Sequence, residues 1–208
     1  MENNIINHIP SSPPLKQHPL TTLKRIRTGH GDGSVSIYPE YVDKVFLNDQ
    51  LDRSPEIIRC VEKDFFRELS ALQLLEKEFI NDPVIDHYPF PKIISSDEEN
   101  YSIRITNCGM NLSQYRKSKL DLLNSKCYFI DTINCVVNNL QNLTMSHHNI
   151  HHQNFCINNK GHLHLIDFET SRHTHDAPKK AERRKLKYLA LYENYRKQFK
   201  EIIFRYVT

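Results

Sequence analysis

His147-His148-Asn149-Ile150-His151-His152-Gln153-Asn154-Phe155, followed by Leu165-Ile166-Asp167-Phe168-Glu169, is the stretch on which the fold turns. Between Asn154 and Asp167 lie two short apolar runs, Phe155-Cys156-Ile157 and Leu163-His164-Leu165-Ile166, that read as strands. A strand pair returns the chain to its starting level. An asparagine just before the pair and a carboxylate just after it can therefore converge on one cation. Both side chains offer hard oxygen ligands, the kind that Mg²⁺ prefers.

Working outward, the residues from Leu23 to Phe46 read as strands around a glycine turn, Thr28-Gly29-His30-Gly31-Asp32-Gly33-Ser34-Val35, which holds three of the five glycines. Tyr41-Val42-Asp43-Lys44-Val45-Phe46 alternates inward and outward as a strand does. Ser54-Pro55-Glu56 has a capping serine and a first-turn proline, the marks of a helix start. Val61, Phe65, Leu69, Leu72 and Leu75 continue at helical spacing through a run from Ile57 to Phe79. Pro83, Pro89 and Pro91 punctuate its exit. Ile93-Ile94 and Tyr101-Ser102-Ile103-Arg104-Ile105 read as two more strands, ending at Asn107-Cys108-Gly109. After Gly109 the character changes. Leu120 to Leu143 is a helical run carrying Leu123, Phe129, Ile130, Ile133, Val137 and Leu140, and Lys179 to Val207 is one more helix. Strands plus one helix, then helices plus a strand pair, predict two lobes.

In this order the pieces resemble the protein-kinase-like superfamily. The histidine-rich loop and the aspartate after the strand pair resemble H-R-D-x-x-x-x-N followed by D-F-G, and the step from the loop's third position to its asparagine is kept, from Asn149 to Asn154. The Val42-Asp43-Lys44-Val45-Phe46 strand resembles V-A-I-K, and Glu68, within Phe66-Arg67-Glu68-Leu69, stands where the helix glutamate belongs. The resemblance covers roughly residues 23 to 170. It implies an α+β, two-lobed protein-kinase-like fold: a small β-rich N-lobe (about 21–108) and a truncated, mainly helical C-lobe (about 109–208), after a proline-rich flexible leader (1–20). It implies ATP and Mg²⁺ as cofactors. Lys44, held by Glu68, would grip the α/β-phosphates, and Gly29, Gly31 and Gly33 would let backbone approach them. Asn154 and Asp167 would hold Mg²⁺, and His147 would brace the loop.

Three departures qualify what the resemblance implies. Asn149 stands where the family has its catalytic aspartate, and an amide is a poor proton acceptor, although it can hydrogen-bond a hydroxyl and hold it in line. Glu169 replaces the glycine of D-F-G, and an Ile-Asp-aromatic-acidic ending also resembles small-molecule kinases of the choline and aminoglycoside type. No A-P-E motif follows, and about forty residues remain after Asp167, so a protein-substrate platform is cut short. The expected function is an ATP·Mg²⁺-binding, Ser/Thr-type phosphotransferase of weakened activity, or a pseudokinase acting through a partner protein. The alternatives are a small-molecule kinase and a non-catalytic interaction scaffold.

Composition is compatible with these readings and selects none of them. The chain has 208 residues, 25% charged and 38% hydrophobic, with a formal net charge of +3, ordinary for one globular domain. So mild a charge does not by itself imply nucleic acid or a membrane as a partner, and neither is expected. Five scattered cysteines without a CxxC pair suggest reduced thiols inside the cell. Neither a signal peptide nor a membrane-spanning run is visible, which predicts a cytoplasmic or nuclear location. Abundant Asn, Ile and Lys suit an AT-rich genome, such as that of a large DNA virus or a protist. Eight of the twelve histidines fall between His147 and His175, and the i,i+4 pairs His147/His151 and His148/His152 near Cys156 would suit zinc if the segment were helical. The basic start of the last helix (Lys179, Lys180, Arg183, Arg184, Lys185, Lys187) reads either as a solvated face or as a contact for acidic partners.

Overall fold

The computed structural model describes residues 21–25, 33–47, 54–79, 88–118, 126–173 and 178–207. The first half builds one antiparallel sheet: β1 (Thr21–Arg25), β2 (Gly33–Ile37), β3 (Tyr41–Val45), β4 (Ile93–Asp97) and β5 (Ser102–Thr106), in the spatial order β1-β2-β3-β5-β4. β2 turns into β3 through a tight connection in which Tyr38 N–H donates to Tyr41 O at 2.9 Å. Helix α1 (Pro55–Phe79) lies between β3 and β4 in sequence and packs against β4 and β5. Ser54 caps it, its Oγ accepting from Ile57 N–H at 3.4 Å. Val61, Phe65, Leu69, Leu72 and Leu75 form its buried stripe, as their spacing predicts.

The second half is helical with two small sheets. β6 (Met110–Asn111) leads directly into α2 (Leu112–Ser118), and α3 (Lys126–Asn142) follows. β7 (Met145–Ser146) pairs with β10 (Arg172–His173), while β8 (Phe155–Ile157) is flanked by β6 and β9 (Leu163–Leu165). Helix α4 (Pro178–Val207) packs on α3 and α2. Its buried residues Tyr192, Tyr195, Phe199 and Ile203 recur at helical spacing and meet Ile133, Val136, Val137 and Leu140 in one core. No helix among the described residues is long and apolar enough to cross a membrane. None of the described cysteines forms a disulfide.

The sequence signals locate the long elements and miss the short ones. β6, α2, β7 and β10 have no periodicity to announce them, because two-residue strands are defined by their partners rather than by their own pattern. Gly29 and Gly31 lie outside the described residues, as do the leader and residues 120–125 of the run beginning at Leu120. Gly33 opens β2 and is buried; a Cβ there would sit 2.6 Å from Val45 O, so the close approach of β2 to β3 explains a glycine at this position.

Tyr192 ties α4 to the base of the site. Its buried hydroxyl lies 3.1 Å from Leu140 O and 3.0 Å from Met145 O, at the end of α3 and the start of β7. Tyr192→Phe removes the donor and leaves buried carbonyls short of a partner. We expect a loss of ~1–3 kcal/mol in urea unfolding, with an unchanged dependence on denaturant.

Candidate functional site

Lys44 is fixed by strands on both sides. β3 pairs with β2 and with β5, which sets Lys44 opposite Val35 and Ile103. The side chain is only 7% exposed, so its ammonium must find counter-charge inside the protein. Glu68 supplies it from the buried stripe of α1, where its neighbours in the sequence pattern are Phe65, Leu69 and Leu72. Lys44 Nζ lies 2.6 Å and 2.5 Å from the two carboxylate oxygens of Glu68 and 2.9 Å from Asp167 Oδ1. A single ammonium thus joins β3, α1 and the segment after β9.

Asp167 reaches that position through its backbone. It has φ of 71°, in the left-handed region, which Asp tolerates better than most residues. The chain is held on either side: Ile166 N–H donates to Asn154 O at 2.9 Å, and Leu165 N–H donates to Pro89 O at 3.0 Å. Phe168 is completely buried and packs edge-on against Phe90 and His147, with ring centroids 5.9 Å and 4.8 Å away. Arg67, beside Glu68 on α1, donates to Glu169 O at 2.9 Å and pairs with Asp64 at 3.3 Å. One carboxylate oxygen from each of Glu68, Asp167 and Glu169 lies within 4.8 Å of the others. The Lys44 ammonium is bonded to two of these three carboxylates.

The loop before β8 is braced from within. His147 is fully buried, its Nε2 donating to Ile166 O at 2.9 Å and its Nδ1 accepting from Asn149 N–H at 3.3 Å. Those two bonds require the neutral ring, a tautomer assigned from its partners. Burial is also the main reason its pKa falls from 6.5 to about 4, against a smaller opposing pull from the Ile166 carbonyl. Thr170 Oγ1 donates to His147 O at 2.8 Å. Asn154, buried at the end of a 3-10 turn (His152–Asn154), gives its Nδ2 to Asn149 O at 2.9 Å, which leaves Oδ1 as the atom it can offer to a cation.

Between the five-stranded sheet and the β6-β8-β9 sheet runs a cleft of about 400 Å³. Val35, Val42 and Ile105 line one side and Cys156 and Ile166 the other, while Lys44, Asn154 and Asp167 form a polar end. The residues Thr106 to Gly109 rim it. An apolar slot leading to a charged end can take a flat ring joined to an anionic group. The structure brings Lys44, Glu68, Asn154 and Asp167 to this place, and Asn149 to the loop beside it. Gly33 does not line the cleft.

The histidines are engaged otherwise than as a ligand set. His148 Nε2 lies 2.6 Å from Ser146 Oγ, His151 Nδ1 accepts from Gln153 N–H at 3.2 Å, and the His152 ring stacks on Tyr206 at 4.5 Å. The segment is a loop with one 3-10 turn, so the i,i+4 geometry of a helix does not arise. Sequence reasoning missed Glu169 as part of the acidic cluster and Arg67 as the tie from α1 to that segment. The signal for both was adjacency, since each stands next to or one step from a residue already singled out.

No family model matches this chain, and no curated protein is matched by its sequence. Solved structures do match. The bifunctional kinase-methyltransferase WbdD aligns over 84% of this chain with a TM-score of 0.51 and 15% identity. The likeness is one of fold. A further WbdD crystal structure gives a TM-score of 0.49 at 14% identity over 84% of this chain, and WbdD with a kinase inhibitor gives 0.49 at 14% over 76%. In these comparisons the present chain spans 34–38% of the WbdD chains. The fold of this chain is thus similar to that of part of WbdD, at low identity.

Two measurements test the site as built. Lys44→Met leaves Glu68 buried without its cation and should cost ~3–5 kcal/mol in chemical unfolding, while Lys44→Met combined with Glu68→Leu should recover much of that loss. His147 has a folded pKa depressed below its unfolded value. Its contribution to stability is therefore complete above about pH 6.5 and is lost as pH falls from there through about 4. Unfolding experiments across that window should show a shallower acid loss for His147→Gln than for the natural chain.

Proposed function

We propose that this protein is a two-lobed, kinase-like ATP·Mg²⁺-binding protein whose phosphotransferase activity is weakened by Asn149, or which acts as a pseudokinase. The observation that carries this assignment is the Lys44–Glu68–Asp167 contact at the polar end of an apolar cleft. A lysine serving only as a surface charge has no need of one fully buried and one half-buried carboxylate. One that must meet the phosphates of a nucleotide while keeping its charge is served well by them.

The roles follow from the side chains present. Lys44, oriented by Glu68, binds phosphate oxygens. Asn154 Oδ1 and the carboxylate of Asp167 provide hard oxygen donors, and the anionic cluster with Glu169 suits a divalent cation. ATP with Mg²⁺ would supply the transferable γ-phosphoryl group. In transfer, the acceptor oxygen bonds to the γ-phosphorus as the bond to the β–γ bridging oxygen breaks. The hydroxyl proton leaves to water or to the transferred phosphate, because Asn149 cannot take it. Asn149 can still orient that hydroxyl. A missing general base commonly costs ~10²–10⁴-fold in rate, so slow transfer survives while positioning and charge neutralisation persist. If transfer is absent, the same cleft serves a nucleotide-binding scaffold for a partner protein.

Glu169 favours a second reading. It adds a carboxylate where protein kinases have glycine, in the manner of small-molecule kinases, and it joins the Glu68–Asp167 cluster. The acceptor would then be a small hydroxyl compound.

Thermal shift and transfer from labelled ATP separate these readings. We expect Mg²⁺·ATP to raise the melting temperature of the natural chain and to have no such effect on Asp167→Ala. Asn149→Asp should raise transfer by 10-fold or more, towards the ~10²–10⁴ associated with a general base. Generic protein substrates and small hydroxyl compounds, assayed in parallel, divide the two enzyme readings. If neither the natural chain nor Asn149→Asp responds to nucleotide, the ATP assignment is wrong.

A further inference from the structure

The rim of the cleft, Asn107-Cys108-Gly109, carries an arrangement that the roles above do not use. Asn107 uses its whole side-chain amide internally. Its Oδ1 accepts from Gly109 N–H at 2.8 Å, and its Nδ2 donates to Tyr38 O at 2.6 Å and more weakly to Pro39 O at 3.4 Å. Its backbone N–H donates to Glu40 O at 3.0 Å. The result is a staple between the β2–β3 connection and the rim. Gly109 is held with φ of 92°, and a Cβ there would lie 2.1 Å from Ile157 O, so this residue can neither gain a side chain nor shift easily.

The chemical consequence concerns the ligand. A planar base lying between Val42 and Cys156, which line the cleft, would present its edge to this rim. Adenine offers a ring acceptor, N1, beside an amine donor. Guanine offers a ring donor beside its own amine. A backbone N–H at the rim would favour adenine by pairing with N1, but the Gly109 N–H already has a partner. With that N–H taken by Asn107 Oδ1, the rim leaves the ring nitrogen unread.

We propose that Asn107 sets the base selectivity of this cleft by withholding the Gly109 N–H, so that adenine and guanine nucleotides bind with little discrimination. This rests on the nucleotide-binding reading given above. Asn107 here is a specificity-determining residue that acts through Gly109, and it takes no part in phosphoryl transfer.

The test is calorimetric titration of the full chain with Mg²⁺·ATP, Mg²⁺·GTP and the Mg²⁺ complex of 1-deaza-ATP, which lacks the ring acceptor. For the natural chain the three affinities should agree within about threefold, less than one neutral hydrogen bond ordinarily contributes. Asn107→Ala releases the Gly109 N–H and should favour ATP over both other nucleotides by about three- to tenfold. Asn107→Asp keeps an oxygen on Gly109 N–H while losing the donor to Tyr38, and should retain the selectivity of the natural chain. A natural chain that prefers ATP over 1-deaza-ATP by more than tenfold overturns the proposal, even if neither variant folds. So does Asn107→Asp shifting selectivity as Asn107→Ala does, because the staple and not the masked N–H would then be responsible. In both cases nucleotide binding itself stands. If the natural chain binds neither ATP nor GTP, the nucleotide site is wrong and this proposal falls with it.

Discussion

An ammonium group enclosed by two carboxylates, in a space nearly closed to water, holds the separate parts of this chain in register. Lys44 comes from the sheet, Glu68 from the helix between β3 and β4, and Asp167 from the turn after β9. Each would be costly to bury alone. Together they offset one another's desolvation, although a well-packed apolar trio could match them in stability. The arrangement is therefore better explained by what it holds in place than by what it adds to folding. It orients a cation at the end of an apolar cleft and leaves negative charge beside it.

Below that contact a second layer keeps the segment from moving. Phe168 is sandwiched between Phe90 and His147, and His147 in turn joins the loop to Ile166 through its ring and to Thr170 through its carbonyl. Arg67 closes the circuit by holding Glu169 O from α1. A displacement of α1 would disturb Glu68 and Arg67 together, so the acidic cluster and the helix behave as one unit. The positive φ of Asp167 is a small local cost that these neighbours maintain.

The departures from the kinase-like pattern have physical content. Asn149 removes a proton acceptor but keeps the loop's architecture, since the bonds of this residue to His147 and Asn154 are made by its backbone. Glu169 adds charge where a glycine would add freedom. Under the proposed reading, one change would weaken the chemistry of the acceptor and the other would strengthen the demand for a cation. On that reading, a cleft altered in those two senses would bind nucleotide without turning it over rapidly.

Much of the fold was legible along the chain. The buried stripe of α1, the helical spacing in α3 and α4, and the alternation of β3 and β5 are local patterns, and local patterns are what a one-dimensional reading detects. The candidate residues Lys44, Glu68, Asn154 and Asp167 could be singled out for a different reason, since their order and spacing resemble a family's motif. Other features could not be read in this way. That His147 is a neutral brace and not a metal ligand depends on Ile166 lying against its Nε2. That Glu169 belongs with Glu68 depends on α1 lying over the turn after β9. That Asn107 masks Gly109 depends on where the β2–β3 connection crosses the rim. The sequence by itself determined the longer helices and strands, and which side chains carry charge. Only the tertiary structure decided which charges meet, because burial and hydrogen-bond partnership arise between segments distant along the chain, and no local pattern encodes them.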